Sequence, residues 1–168
     1  RLAIRQSLIC LFIDNQANMD GGALYDVGYA WDTIVNGIFI GNKAGQQGDW
    51  MASVFGKIYI DHSLIDAQDC AALEGGLSMQ YSTLTCGNNN LFDVDPLFRD
   101  TTNGDYRIKG CSPVLNQGDG SWVARFDLLN DLSDNARILD DLPDIGAYET
   151  DKFIAEAYKN DISCFGEE

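Results

Sequence analysis

The fold is decided by a stretch that the chain repeats: Cys10-Leu-Phe-Ile-Asp-Asn-Gln-Ala-Asn-Met-Asp-Gly-Gly22, and then Gly37-Ile-Phe-Ile-Gly-Asn-Lys-Ala-Gly-Gln-Gln-Gly-Asp49. Aligned at an offset of 27 residues, the two segments share five identities. The identical pairs are Phe12 and Phe39, Ile13 and Ile40, Asn15 and Asn42, Ala17 and Ala44, and Gly21 and Gly48. A degraded third copy places Leu64-Ile65 under Ile38-Phe39 at an offset of 26 residues. Repeats of roughly 20 to 50 residues are typical of stacked architectures.

The segments between the Gly and Asn residues are short and rich in β-branched and aromatic residues, which favours strands over helices. We therefore predict an all-β fold, a right-handed parallel β-helix built as a single-stranded solenoid with about 26–27 residues per coil. Successive coils would then lie one strand spacing apart, about 4.8 Å. Equivalent side chains would stack directly above one another.

That stacking predicts a structural ladder at the repeated positions. Phe12 would lie over Phe39, and Asn15 and Asn42 would form an amide ladder bonded to the backbone of a bend. The paired glycines would permit a turn with positive φ; they are Gly21 and Gly48.

Three regions follow from this pattern. Residues 1–87 are predicted to form C-terminal coils of the β-helix, and 88–150 a last irregular coil and cap over the open strand edge. Residues 151–168 are predicted to form a short terminal helix or linker, because apolar residues recur there at helical spacing. The chain opens in mid-pattern at Arg1-Leu-Ala-Ile4, so we also expect further coils upstream.

Two sets of motifs carry a resemblance to a known group of proteins. Phe12-Ile-Asp-Asn15 and Phe39-Ile-Gly-Asn42 are F-x-x-N motifs, and Gly21-Gly-Ala-Leu24 is a G-G-A-aliphatic motif. They resemble the repeats of polymorphic membrane proteins and related bacterial β-helix surface proteins. Gly48-Asp49 departs from the glycine pair in the second copy.

An ordered series in the second half is similar to the closing region of secreted bacterial β-helix proteins with a "choice-of-anchor" ending. The series is Asp95-Pro-Leu-Phe98, Gly104-Asp-Tyr-Arg-Ile108, Ser112-Pro-Val-Leu-Asn-Gln-Gly118, Asn135-Ala-Arg-Ile138 and Asp144-Ile-Gly-Ala-Tyr-Glu149. The resemblance implies a large secreted or cell-surface protein, often adhesin-like. Its partners would be other segments of the same chain or an extracellular assembly. The group also borders on polysaccharide lyases and other carbohydrate-active β-helices.

Charge and hydropathy exclude several classes of partner. The 11 basic and 26 acidic residues leave a formal net charge of −15. This balance argues against nucleic acid, which needs clustered Lys and Arg, and against anionic membrane surfaces. No apolar run approaches the roughly 20 residues of a spanning helix, so membrane insertion is not expected.

No set of residues forms a complete active site, and we assign no catalytic residue. For the one histidine, His62, we favour a surface or ladder position over a role as a general base. The predicted function is a non-catalytic extracellular β-helix module of an adhesin-like or structural protein. The alternative is the C-terminal part of a secreted carbohydrate-active enzyme, a polysaccharide lyase or glycoside hydrolase with its active site upstream.

Two binding functions are open. Acidic residues near the cap could bind calcium, the one cofactor considered, although a solvated acidic loop is the alternative. They are Asp127, Asp131, Asp134 and Asp144. Aromatic residues in turn-like positions could stack on glycans, or could pack against neighbouring loops instead. They are Tyr29, Trp31 and Trp50.

The five cysteines leave at least one thiol outside any pairing within the chain. Cys70 and Cys86 flank one loop and could bridge it, but spacing alone does not decide the pairing. Cys10 and Cys111 read as small buried apolar residues.

Overall fold

The computed structural model describes residues 3–76 and 78–151. The predicted terminal helix or linker, 151–168, therefore lies outside the described residues apart from Asp151. The chain divides into two compact units, Arg1–Val94 and Asp95–Glu168. The division falls within the region predicted as the last irregular coil.

The described part of the first unit consists of short strands and one short helix. The elements are β1 (Ala3–Leu8), β2 (Leu11–Ile13), β3 (Gln16–Ala17), β4 (Leu24–Val27), β5 (Ala30–Val35), β6 (Ile38–Ile40), β7 (Lys43–Ala44), β8 (Met51–Val54), β9 (Lys57–Asp61), β10 (Leu64–Ile65), α1 (Cys70–Gly75), β11 (Ser78–Gln80), β12 (Thr83–Cys86) and β13 (Leu91–Phe92). Turns separate them, because Gly, Asn and Asp recur every few residues.

These strands form four small parallel sheets. Sheet 1 has the order β1-β5-β9-β12, sheet 2 β2-β6-β10-β13, sheet 3 β3-β7, and sheet 4 β4-β8-β11. Hydrogen-bonded neighbours are separated by the sequence repeat, so that Phe12 pairs with Phe39 and Phe39 with Ile65. Residues one repeat apart in sequence are therefore paired in the parallel sheets.

The predicted fold class, a right-handed parallel β-helix solenoid, is wrong for this structure. The described residues form several small sheets, and no closed solenoid is found among them. The second unit holds an antiparallel pair instead, and the chain is not all-β, because two short α-helices occur. Identities at a fixed offset specify which strands pair. They do not specify how successive sheets turn about a common axis, which depends on the corners and the core.

The core of the first unit follows the period-two alternation of its strands. Ile58 and Ile60 of β9 are buried, whereas Lys57 and Tyr59 are exposed. Phe39 is buried in this core and stacks on Phe12 with ring centroids 4.8 Å apart. The buried hydrophobic cluster comprises Ile34, Phe39, Trp50, Met51, Ile58, Ile60, Ile65 and Leu73.

Amide side chains join strands across the repeat. Asn15 Nδ2 donates to Asn42 Oδ1 at 2.9 Å, and Asn42 Nδ2 donates to the Phe12 carbonyl at 2.8 Å. Asn90 makes the same kind of bridge, donating to the Ile60 carbonyl at 3.0 Å and accepting from the Ser63 N–H at 3.1 Å. Asn42 and Asn90 therefore satisfy backbone groups that a bend leaves unpaired.

Left-handed backbone marks the same corner in successive repeats. Ile9, Asn36 and His62 follow the strands of sheet 1 with φ of 59°, 59° and 43°. Gly21 and Gly48, the paired turn glycines, both have φ of 73°. These corners let a strand end and the chain change direction within one or two residues.

The second unit has little regular structure. It contains β14 (Phe98–Asp100), the 3₁₀ turn η1 (Thr101–Asn103), β15 (Asp105–Ile108) and α2 (Gly120–Arg125). β14 and β15 pair antiparallel around η1, which Gly104 ends with φ of 76°. Its buried apolar residues include Ile108, Val114, Val123 and Ile145.

An exposed aromatic surface as the candidate functional site

Three aromatic rings stack on one another at the corner that follows sheet 4. The Tyr29 and Phe55 centroids are 5.3 Å apart with planes 32° apart, and the Phe55 and Tyr81 centroids are 5.1 Å apart with planes 7° apart. We call Tyr29, Phe55 and Tyr81 the aromatic ladder. Its spacing is close to that of neighbouring strands, about 4.8 Å, because each ring comes from a different repeat.

Strand register explains how the ladder arises. Val27 pairs with Val54, and Val54 with Gln80, so Phe55 and Tyr81 occupy one corner position in two successive repeats. Gly28 occupies that position in the first repeat and has no side chain. Tyr29, the next residue, supplies the third ring.

Two residues of the ladder adopt an unfavourable left-handed backbone conformation, and burial of their side chains does not compensate for it. Phe55 and Tyr81 have φ of 65° and 58°, a region where bulky residues are rare. Their side chains stay in solvent, with Tyr29 72%, Phe55 39% and Tyr81 76% exposed. Strained backbone that carries exposed apolar groups is a recognised feature of binding sites.

The outer face of sheet 1 continues this aromatic character. Trp31 is 51% exposed at the start of β5, and the Lys57 Nζ lies 5.0 Å from its ring centroid. Tyr59 is exposed on β9, two residues beyond Lys57. Hydroxyl groups complete the face, from the partly or fully exposed side chains of Thr33, Thr83 and Thr85. We call Tyr29, Trp31, Phe55, Tyr59 and Tyr81 the aromatic surface.

The structure separates the three aromatic residues that the sequence grouped as sugar-stacking candidates. Tyr29 and Trp31 belong to the aromatic surface. Trp50 is 8% exposed and packs edge-on against Phe39 at 5.6 Å, so it is unavailable for stacking on a ligand. Its turn-like sequence context does not reveal this, because the turn after β7 points the indole into the core.

Sequence reasoning missed Phe55, Tyr59 and Tyr81. A usable signal was present: Phe55 and Tyr81 lie one repeat apart, and each follows a strand of sheet 4. Aromatic residues at one corner of successive repeats must approach each other at the strand spacing.

The predicted calcium ligands are divided between solvent and a buried network. Asp127 and Asp134 are exposed. Asp131 and Asp144 are buried, and backbone N–H groups occupy their oxygens: Asp131 accepts from Ser133 at 2.8 Å, and Asp144 from Asn116 at 2.7 Å. Among residues 3–76 and 78–151, no group of three or more His, Cys, Asp or Glu side chains is arranged to hold a metal ion. Calcium binding stays an untested prediction.

Arg137 connects this buried network. Its Nη2 donates to the carbonyls of Asp144 and Gly146 at 2.8 and 2.7 Å. Its Nη1 lies 3.0 Å from Glu149 Oε1, close enough for an ion pair but not aligned for a hydrogen bond. Glu149 also accepts from the Asp144 N–H, and its own N–H donates to Asp131.

Burial shifts the protonation of these groups. It raises the pKa of Asp144 to about 6 and that of Glu149 to about 8, and it lowers the pKa of Arg137. Burial alone would also raise the pKa of Asp131. Four hydrogen bonds, the first from the Glu149 N–H, lower it instead. Arg137, Asp144 and Glu149 are all buried, so the network lies in the interior of the second unit.

His62 lies beside a carboxylate whose oxygens are already in use. Asp61 accepts from the Tyr59 hydroxyl at 2.9 Å and from the backbone N–H groups of His62 and Asn89 at 3.0 and 3.1 Å. The His62 Nδ1 is 3.4 Å from Asp61 Oδ2. These bonds hold the corner after β9.

The described cysteines differ in oxidation state. Cys70 and Cys86 form a disulfide with their Cα atoms 6.3 Å apart, and it ties α1 to β12. Cys111 is disulfide-bonded too, which differs from its prediction as a buried apolar residue. Cys10 is half-buried, and burial raises its pKa to about 11.

Comparison with known proteins adds no assignment: no family model, no curated protein and no solved structure matches the chain. The described residues contain no helix that is long and apolar enough to cross a membrane.

Proposed function

We propose that this chain is a non-catalytic, adhesin-like binding module of a secreted or cell-surface protein, with the aromatic surface as its contact region. The observation that carries the proposal is the aromatic ladder. Phe55 and Tyr81 hold strained backbone while exposing their rings, and Gly28 occupies the same corner without that strain. Contacts between the rings offset much of that strain, and the exposed rings remain available to a partner.

The backbone that carries the aromatic surface suits a binding role. Its rings project from strands or from corners directly after strands, and such positions hold side chains more precisely than long loops do. Aromatic residues supply much of the binding energy in protein contacts because they bury a large area with few rotatable bonds.

The disulfides support an extracellular location. Such bonds persist in oxidising compartments and are rare in the cytosol. Cys70 and Cys86 form one, and Cys111 takes part in another.

An adhesion assay tests the proposal. Microspheres coated with the purified chain are applied to a panel of cell surfaces, together with microspheres carrying Phe55→Asn/Tyr81→Asn. A matched control carries Leu129→Asn/Leu132→Asn, which removes two apolar side chains that are each 69% exposed in the second unit. We expect the wild type and the control to adhere and the ladder variant to lose most of its adhesion. Equal adhesion of all three would overturn the proposal.

A second measurement separates binding from catalysis. The chain is incubated with soluble polysaccharides, and new reducing ends and unsaturated sugars are measured over time. We expect neither to accumulate. Product that increases with protein concentration would refute the non-catalytic assignment and support the carbohydrate-active alternative.

A further inference from the structure

The turns that follow β3 and β7 stack on each other through their backbones. We call residues 18–23 turn 1 and residues 45–50, one repeat later, turn 2. In turn 1, the N–H groups of Gly21 and Gly22 donate to carbonyls of turn 2 at 3.1 and 3.0 Å. In the opposite direction, the Gln46 N–H donates to a carbonyl of turn 1 at 3.2 Å. Turn 1 therefore both donates to the turn one repeat later and accepts from it.

Glycines allow the two backbones to approach this closely. A Cβ added to Gly22 would collide with the Asp49 carbonyl oxygen, and one added to Gly45 would collide with the Asn18 carbonyl oxygen. Only glycine has no side-chain atom to place there. A segment that stacks on such a turn therefore needs a glycine where it crosses the neighbouring backbone.

The third repeat replaces the corresponding turn with a helix. The strands before and after this segment, β10 and β11, pair with β6 and β8 at an offset of 26 residues. At that offset, α1 (Cys70–Gly75) occupies the positions of residues 44–49. A helix directs its N–H and C=O groups along its own axis, so it does not supply the groups that a stacked turn supplies.

A cleft of about 380 Å³ opens between turn 2 and the end of α1, within the size range of ligand sites. Its lining residues are Gln46, Gln47, Gly48, Asp49, Gly75 and Gly76. The N–H groups of Gly48 and Asp49 are the equivalents of the two donors of turn 1, but in the described part of the chain they have no acceptor. The Gln46 carbonyl likewise accepts no N–H from residues 3–76 and 78–151. Gly48 is buried, and an unpaired N–H is costly in such a position.

A peptide backbone matches these unpaired groups. Its carbonyls can accept from the Gly48 and Asp49 N–H groups, while one of its own N–H groups donates to the Gln46 carbonyl. Turn 2 makes this pattern of bonds on turn 1. A saccharide also offers acceptors, but it lacks the alternating N–H and C=O groups of a peptide chain.

We propose that the cleft between turn 2 and α1 binds a short glycine-containing peptide segment of a partner protein, which pairs with turn 2 as turn 2 pairs with turn 1. The site is separate from the aromatic surface and does not depend on the function proposed for it. The glycine of the ligand would lie where Gly45 lies in the existing pair of turns.

Amide-resolved NMR of the whole chain tests the proposal. The probe is a capped peptide that copies residues 43–50, Lys-Ala-Gly-Gln-Gln-Gly-Asp-Trp. In the free chain, the Gly48 and Asp49 N–H groups should exchange with solvent faster than those of Gly21 and Gly22. We expect binding with a Kd below about 1 mM. At ten times the Kd, exchange at Gly48 and Asp49 should slow about tenfold, because only the unbound site exchanges.

Two variants of the chain and one of the peptide serve as matched controls. A Cβ on Gly75 meets no atom within 4 Å, so Gly75→Leu should fold and extend into the cleft. It should weaken binding by at least about tenfold. Ala71→Leu changes an exposed position of α1 outside the cleft and should bind as the wild type does. The peptide with Gly45→Ala should not bind, because its methyl group collides with turn 2.

Three results would each overturn the proposal. In the first, Gly48 and Asp49 already exchange as slowly as Gly21 and Gly22 in the free chain. In the second, the peptide does not bind, or the Gly45→Ala peptide binds equally well. In the third, Gly75→Leu binds like the wild type. Maltotriose is tested in parallel, and protection of the same two amides by maltotriose but not by the peptide would assign the cleft to a saccharide instead.

Discussion

At the scale of single residues, the corner after sheet 4 shows a conflict between backbone preference and side-chain identity. Left-handed backbone costs a non-glycine residue about 1–2 kcal/mol, and Gly or Asn lowers that cost. The chain places Gly28 at one such corner and Phe55 and Tyr81 at the next two. Stacking of the rings returns about 0.5–1.5 kcal/mol per pair, similar in size to the strain.

Tyr81→Asn should therefore change stability little, by less than about 1 kcal/mol, because relief of strain offsets the lost stacking. Tyr81→Val loses the stacking and keeps a β-branched residue in left-handed backbone, so it should destabilise by about 1–2 kcal/mol. Urea denaturation of both variants measures the difference. If Tyr81→Asn proves as destabilising as Tyr81→Val, the ladder is chiefly structural.

A second residue-scale prediction concerns the amide bridges. Asn42 is buried and holds both the Asn15 N–H and the Phe12 carbonyl. Asn42→Ala leaves both groups unsatisfied and should cost about 1–3 kcal/mol. Asn15→Ala removes one donor from an exposed position and should cost less than about 1 kcal/mol. Thermal unfolding compares them, and equal losses would contradict this account of the bridge.

At the scale of elements, short strands gain stability from what ties them together. β10 and β13 have two residues each, and α1 has six. Such elements do not persist alone, because an isolated turn of helix or a two-residue strand gains too few hydrogen bonds for the entropy lost. Buried Leu73 and the Cys70–Cys86 disulfide fasten α1 to the sheets.

Removing that disulfide should therefore destabilise the first unit. The cysteines are 16 residues apart, and a loop of that size gives a stabilisation of about 3 kcal/mol on chain-entropy grounds. Urea denaturation of Cys70→Ser/Cys86→Ser measures the loss. Glu74→Gln, an exposed change on the same helix, is the control and should match the wild type. A loss below about 1 kcal/mol would show that packing alone holds α1.

At the scale of the whole molecule, the buried network makes stability depend on pH. The folded pKa values of Asp144 and Glu149 are raised from 3.8 and 4.5 to about 6 and about 8. Folding therefore favours their protonated forms. Their contribution is complete below about pH 4 and is lost as the pH rises toward 8.

The free energy of unfolding should thus fall between about pH 5 and pH 8, and Glu149→Gln should flatten this slope by up to ~1.4 kcal/mol per pH unit. Urea denaturation at several pH values measures the slope. Glu74→Gln, an exposed change in the first unit, is the matched control and should keep the wild-type slope. An unchanged slope in Glu149→Gln would show that Arg137 keeps the carboxylate charged.

The sequence repeat of 26 to 27 residues by itself indicated that its copies pair in parallel, β2 with β6 and β6 with β10. Phe12 stacks on Phe39 and Asn15 bonds Asn42 because parallel pairing places equivalent positions side by side. The repeat did not determine the arrangement of the sheets, and the solenoid prediction was wrong for that reason. Pairing is local to two strands, whereas the path around a core depends on every corner at once.

Only the tertiary structure decided which chemically similar residues face solvent. Trp31 and Trp50 share a turn-like sequence context, yet one is exposed and the other is buried against Phe39. Asp131 and Asp144, two of the four residues predicted to bind calcium, are buried, and their carboxylates accept backbone N–H groups of Glu149 and Asn116. Burial and hydrogen-bond partners arise from residues distant in sequence, so composition and spacing could not reveal them.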